Sequence, residues 1–475
     1  MRAPASTLEI VQAWAAQDPA RPVLREDDSE LGYGAFAGML LQCAALLRAD
    51  GVRKGERVAV SGPGFGIQMV VLLACEALGA VTLSFQAEGD PDAGFLFTQV
   101  DRVFSGRAQA LPAGVRFHLL DAGFVERIAA PYRGDPPQWT PAAWDEPARI
   151  SRTSGSTGRS KFMLLRRQAQ EQWVRPARDL LGYGRDTRLL LLGPLVINAI
   201  FARASQCLRQ GGMLLAGHGR DIARLAPTDI YGLPLQLERL LAELPGGYVA
   251  HRPVSVATAG GLASPALRAQ AAAVFGGRIL NRYGGNEVHV VCDELDADGT
   301  GVLAPGVEVR VLDEGGRPLP DGEVGILAVR TPAMVEGYLD RPEETAAAFR
   351  DGWFVSGDLG AIVGSRRLRL VGRHDELVNI GGLKVPCAKL EELLRGQPGI
   401  ADAAVLAVHL QGGAVSLGVA VVAAAGMTQE QAAQAVQRAL QLGPQQAVRL
   451  LFLDAIPRLA MGKTDRMALM RLFSS

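Results

Sequence analysis

Residues 153–161 read TSGSTGRSK, and nine positions hold two glycines, five hydroxyl side chains and two cations. An apolar run, FMLL at 162–165, follows directly. Glycine lets the backbone approach an anion, amides and hydroxyls donate hydrogen bonds, and Lys161 adds a point charge, so the composition suits a phosphate-holding loop. It is not a Walker A loop, because Arg159 and Ser160 separate Gly158 from Lys161. A Gly/Ser-rich segment taken alone reads as a surface turn, so its surroundings decide.

Working outward, 148–152 reads as a short strand leading into this loop. Residues 57–85 give an apolar strand, a Gly-rich turn, a helix-length apolar segment and a β-branched strand, which is a βαβ unit and so the start of a parallel sheet. The turn SGPGFG within it is not a dinucleotide fingerprint, since its third glycine comes too early and no acidic residue follows at the required distance. Residues 86–150 read as less regular, with Pro- and Asp-containing turns. Runs at 189–192, 213–216, 254–258 and 278–280 read as buried strands separated by helices, implying a second parallel sheet. From 307 the pattern turns to short alternating strands with Gly/Asp/Pro turns, an antiparallel region. After Asp375 it becomes helix, strand, strand, helix, strand, a small α+β unit. The expected fold class is therefore α/β: a large N-terminal domain, 1–374, of two parallel α/β subdomains plus an antiparallel region, then a small domain, 375–475.

Composition narrows the function. With 475 residues, 48% hydrophobic and 21% charged, the chain is an ordinary globular protein. Lys+Arg and Asp+Glu both number 49, so the excess of basic charge that nucleic-acid binding needs is missing. Five cysteines without CxxC spacing speak against a zinc site or a disulfide framework and for a reducing, cytoplasmic setting. The N-terminus lacks a secretory core segment, and the most apolar stretch, 69–85, is interrupted by Glu76 and Gly79, so no membrane span is expected.

Six segments in order carry a resemblance. TSGSTGRSK is similar to the phosphate-loop motif of the adenylate-forming superfamily, which comprises acyl-CoA synthetases, peptide-synthetase adenylation domains and luciferases. NRYGGNE at 281–287 resembles N-x-Y-G-x-T-E, and GYLDRPEETAAAF at 337–349 resembles G-Y-x-x-R-P-x-x-T-x-x-x-F. WFVSGDL at 353–359, GRHD at 372–375 and PRLAMGKTDR at 457–466 resemble W-x-x-T/S-G-D-x, G-R-x-D and P-x-x-x-x-G-K-x-x-R. Any one would be weak, but six in order across the chain are not.

Driving a carboxylate oxygen onto the α-phosphate of ATP requires a site that binds polyphosphate, admits a metal, fixes the ribose and neutralises growing charge. The resemblance implies that Thr153, Ser154, Gly155, Ser156, Thr157, Gly158 and Lys161 hold phosphate, and that Glu287 carries Mg²⁺. It implies that Asp358 takes the ribose hydroxyls, with Arg373 as a second contact. Tyr283 would stack on adenine, with Asn281 and the Gly260–Gly261 turn nearby, and Gly284 and Asn286 would also bind the nucleotide, Asn286 through a phosphate. Lys463 would reach the α-phosphate in the chemical step, Asp375 would be the hinge of the small domain, and Gly381 and Gly382 would face the incoming thiol. By themselves an Asp after Gly is a turn residue, a Glu after Gly-Asn a helix cap and a lysine near the C-terminus a solvated charge; only their joint occurrence argues otherwise.

Two departures stand out. Asn286 occupies the family's Thr position, and 86–150 is short for the family. Acid selection is expected at 193–201 and around 257–261, including Gly261. No Asp stands in the first segment to pair with an ammonium, and Asn198 is placed as in relatives that activate aromatic acids. The expectation is an aryl or fatty acid, aryl first, passed to CoA, or to a separate carrier protein as the runner-up. A degenerate nucleotide-binding member is the competing class, against which the joint presence of Lys161, Glu287, Asp358, Arg373 and Lys463 argues.

Overall fold

The computed structural model describes residues 5–134, 139–153, 160–174, 182–374, 377–380, 383–409, 415–440, 448–458 and 464–474. Two parallel sheets and one antiparallel sheet dominate. The first sheet runs Arg116–Leu119, Arg102–Ser105, Arg57–Ser61, Val81–Ser84, Pro147–Thr153, Lys161–Arg166, parallel except for the last pair. The second runs Gly276–Asn281, Val254–Thr258, Asp229–Gly232, Arg188–Leu191, Met213–Ala216, Pro22–Glu26, Ser29–Gly32, with only the last pair antiparallel.

One apolar cluster joins faces of both parallel sheets through the helices Tyr33–Ala49, Phe65–Ala77 and Asn198–Arg209. Helix Phe65–Ala77, FGIQMVVLLACEA, is apolar around most of its circumference because it is covered on all sides, the pattern of a fully buried helix. Its one carboxylate, Glu76, is 4% exposed and is met by Arg167 at 3.1 Å and Arg209 at 3.9 Å. Glu171 completes this network with two hydrogen bonds from Arg209, 2.8 and 3.0 Å, and an ion pair with Arg167 at 2.7 Å. Removing one member would leave a buried charge unpaired, at a cost of about 3–5 kcal/mol.

Local sequence sets the ends of elements. In helix Pro265–Phe275, Ser264 accepts a hydrogen bond from the Leu267 amide at 3.2 Å, Pro265 fills the first turn, and Gly276 stops the helix at φ +64°.

The antiparallel sheet follows the order Tyr283–Gly285, His289–Leu295, Thr300–Leu303, Arg367–Arg373, Trp353–Ile362, Gly325–Arg330, Glu308–Leu312. Beyond it lie the hairpin Leu377–Ile380/Leu383–Pro386 and a three-stranded sheet of Ile400–His409, Val415–Ala423 and Val448–Phe452, with helices Cys387–Arg395 and Gln429–Leu440 sharing its core.

Three expectations need correction. Residues 86–150 hold more regular structure than expected: strands Arg102–Ser105 and Arg116–Leu119 extend the first sheet, and helix Ala122–Ala129 follows. Asp229–Gly232 is a central strand of the second sheet that no run of apolar residues announced. The antiparallel sheet begins at Tyr283 rather than 307. All five cysteines are free and buried. No helix among the described residues is long and apolar enough to cross a membrane.

Candidate active site

Strand Pro147–Thr153 and strand Lys161–Arg166 form an antiparallel pair in which Thr153 faces Lys161, so the Gly/Ser-rich stretch connects two hydrogen-bonded neighbours. Ser154, Gly155, Ser156, Thr157 and Gly158 lie outside the described residues, as do Asp375, Gly381, Gly382 and Lys463. The base of the loop is braced. Arg152 pairs with Asp90 at 2.6 Å and Asp92 at 3.3 Å, and the Ser160 amide donates to Asp92 at 3.3 Å.

Lys161 emerges beside this base with its ammonium 3.0 Å from Glu344 and 4.7 Å from the centre of the Tyr338 ring. The Tyr338 hydroxyl donates to Glu287 Oε1 at 3.1 Å. Glu287 is only 7% exposed, and burial holds its carboxyl above the usual carboxylate range, while a backbone hydrogen bond, Tyr338 and Lys161 oppose that shift. Asn286, one residue before, donates its amide to the Arg152 carbonyl at 2.7 Å. The residue at the family's Thr position therefore ties the 283–287 segment to the strand that leads into the Gly/Ser-rich stretch.

The other end of that segment carries Tyr283, whose hydroxyl donates to Asp358 Oδ2 at 2.6 Å. Arg373, directly across the strand pair from Asp358, donates to Oδ1 at 3.1 Å. Both carboxylate oxygens are engaged, which fixes the side chain. Burial, then the Asp358 charge, pushes the Tyr283 hydroxyl well up, so it stays a donor.

Asn281 is fully buried and acts within the protein. Its amide donates to Thr258 Oγ1 at 3.1 Å and to the Gly261 carbonyl at 2.9 Å, and its Oδ1 accepts from the Ala263 amide at 3.1 Å. Those bonds hold the turn at Gly260, where φ is +81°. Gly284 is required by close approach, since a Cβ there would stand 2.0 Å from the His289 carbonyl oxygen.

Asn198 opens helix Asn198–Arg209, is 4% exposed, and accepts from Arg149 Nε at 2.8 Å. Arg149, four residues before Thr153, also donates to Thr82 at 3.2 Å and Ser84 at 3.0 Å and lies 3.8 Å from the Phe201 ring centre. Burial lowers its pKa to about 9.

Sequence reasoning named Glu287, Tyr283, Asp358, Arg373 and Lys161, and the structure brings them into two groups joined by residues 283–287. It missed Tyr338, Arg152 and Arg149. Tyr338 sits in the quoted GYLDRP segment, but only folding places it beside Glu287.

The family model for the AMP-binding enzyme family matches residues 11–339, over half of the chain. The chain belongs to this family. It is 28% identical over 429 residues to a feruloyl-CoA synthase of an Amycolatopsis species, covering 83% of this chain and 84% of that protein. It is 26% identical to an indoleacetate–CoA ligase of Aromatoleum aromaticum, over 96% of each. The crystal structure of a benzoate CoA ligase from Burkholderia xenovorans superimposes with a TM-score of 0.83 at 22% identity, covering 98% of this chain and 100% of that one, which shows a shared fold. As a member of this AMP-binding family with CoA-ligase relatives, the chain is an enzyme.

Proposed function

We propose that the protein activates a carboxylic acid, aryl or fatty rather than α-amino, and passes the acyl group to CoA. A carboxylate oxygen attacks the α-phosphorus of ATP, the bond to the β-phosphate breaks, and pyrophosphate leaves with the acyl-adenylate retained. The CoA thiol, having lost its proton, then attacks the acyl carbon and AMP departs. The relatives that act on ferulate, indoleacetate and benzoate by name favour an aryl acid. The observation that carries the reading is that residues 283–287 join an acceptor group, Tyr283–Asp358–Arg373, to a cation–carboxylate group, Lys161–Tyr338–Glu287.

In this reading the ribose hydroxyls go to Asp358 and Arg373, and adenine to Tyr283 and the turn held by Asn281. The loop from Thr153 to Lys161 takes the leaving pyrophosphate. Glu287 suits Mg²⁺ brought in by the nucleotide. The described residues hold no cluster of three or more ligating side chains for a resident metal, and Mg²⁺ characteristically takes one or two carboxylates plus substrate phosphates. When bound, the ion neutralises phosphate charge.

Asn198 and Gly261 border the acid, Lys463 serves the transition state, and Asp375 hinges 375–475 against 1–374 so that Gly381 and Gly382 can face the thiol. ATP and CoA as co-substrates favour a cytoplasmic enzyme. The test is ATP–pyrophosphate exchange with a panel of acids, repeated with CoA and read for thioester. Exchange without thioester points to a carrier protein as acceptor, and no exchange with any acid refutes the reading.

A further inference from the structure

A cavity of about 190 Å³ flanks the 283–287 segment, lined among others by Trp173, Arg203, Arg282, His289 and Asp293. Arg282 immediately precedes Tyr283, and the cavity residues Val288 to Val290 immediately follow Glu287, so the cavity abuts the segment that carries the nucleotide groups. Arg203 comes from the helix that Asn198 opens, which is the acid side of the site.

The two guanidinium groups are almost wholly enclosed, Arg203 3% and Arg282 5% exposed. Arg282 pairs with Asp293, and Arg203 donates to Gln206 and faces the Tyr231 ring at 5.4 Å. Arg282 Nε and Nη1, Arg203 Nε and Trp173 Nε1 have no hydrogen-bond partner among the described residues. Four unpartnered donors on residues that line one cavity are unusual, because native interiors satisfy nearly all such groups. The charges do not balance either. Two arginines face one aspartate, and burial together with Arg203 and Arg282 holds His289 neutral, so one positive charge among the described lining residues is uncompensated.

We propose that this cavity binds a second anionic group on the acid that the enzyme activates, so that its substrate is a dicarboxylate, either short and aliphatic or an aryl acid with an additional carboxylate. The inference rests on the ligase reading above and deepens it. One carboxylate of the substrate goes to the α-phosphate of ATP, and the other accepts hydrogen bonds from Arg282 and Arg203 and neutralises the cavity. A planar guanidinium fork matches a carboxylate in geometry as well as charge. A monoacid leaves those donors and that charge unpaired, and a site built to hydrogen-bond a substrate group rejects the analogue lacking it by large factors.

The experiment is ATP–pyrophosphate exchange with matched pairs, succinate against butyrate and phthalate against benzoate, alongside calorimetric binding of the same acids without nucleotide. The expected result is a preference of about 10²-fold or more in kcat/KM for the diacid of at least one pair, carried mainly by KM. Arg203→Leu and Arg282→Gln should shrink that preference to below about tenfold, with Arg203→Lys keeping part of it. Circular dichroism melting of each variant identifies any that misfolds, and the lysine variant then carries the comparison. Monoacids used as well as diacids, or a preference that survives both arginine substitutions in folded protein, would overturn the proposal. If no acid supports exchange, the ligase reading fails and calorimetry decides the cavity alone: diacid binding that Arg203→Leu abolishes upholds the anion site, and absence of binding overturns it.

Discussion

Replacing Tyr338 with phenylalanine removes one hydroxyl and little else, because the ring that faces Lys161 at 4.7 Å stays and the Lys161–Glu344 pair at 3.0 Å is untouched. What is lost is the donor 3.1 Å from Glu287 Oε1. A hydrogen bond to an ionised group contributes about 1.5–3 kcal/mol, and the lower end applies because Tyr338 is half-buried. At 1.36 kcal/mol per pKa unit, that is a shift of about one unit.

The direction follows from which form the donor favours. Tyr338 stabilises the carboxylate and opposes the upward pull of burial, so without it Glu287 keeps its proton to higher pH. In the proposed reading magnesium binds through Glu287, which needs the ionised form, and the acid limb of the kcat/KM profile should therefore move up by about one unit. The variant loses about tenfold at pH well below the limb and recovers above it. The assay is pyrophosphate exchange from acid to neutral pH at subsaturating magnesium. An acid limb that stays in place, or moves down, refutes the assignment of Glu287 as the group whose ionisation limits the rate.

Asn281→Ala should destabilise the fold by about 2–4 kcal/mol in urea denaturation, because it orphans Thr258, Gly261 and Ala263 groups inside the protein. Asn286→Ala should cost only about 0.5–1.5 kcal/mol but raise the KM for ATP, since it frees the segment from the Arg152 carbonyl; an unchanged KM would mean the link does not position the loop. Lys463→Ala should lower exchange by about 10²–10³ with an unaltered circular dichroism spectrum, and near-normal exchange would remove Lys463 from the chemical step.

The parts of the fold legible in the sequence were those where apolar runs coincide with buried strands, such as Val254–Thr258 and Met213–Ala216. Elsewhere a buried charge hid the strand. Arg102 is fully buried in Arg102–Ser105 because Glu56 meets it at 2.9 Å, and a periodicity reading counts that arginine as exposed. Asp229–Gly232 begins with a charge and ends with glycine, so four residues offered no pattern. In the site, residues supplied by contiguous motifs were readable, whereas the Tyr338–Glu287 contact spans 51 positions and exists only after folding. The arginine-lined cavity was equally hidden, since Arg203 and Arg282 come from separate elements and nothing in either local sequence marks them as buried.

The burial of every cysteine has a practical use. Buried thiols ionise reluctantly: Cys75 and Cys292 are pushed up to about 12 and Cys43 and Cys207 are also raised, so a thiol-directed dye finds little thiolate to attack in the folded protein. The natural sequence therefore already serves as a silent background for labelling. Cysteines introduced at exposed Val249 and at exposed Leu393, on helix Cys387–Arg395, would accept a donor–acceptor dye pair without first deleting anything. The distance between the dyes, followed as ATP, acid and CoA are added in turn, would report directly whether 375–475 swings about Asp375 during the catalytic cycle.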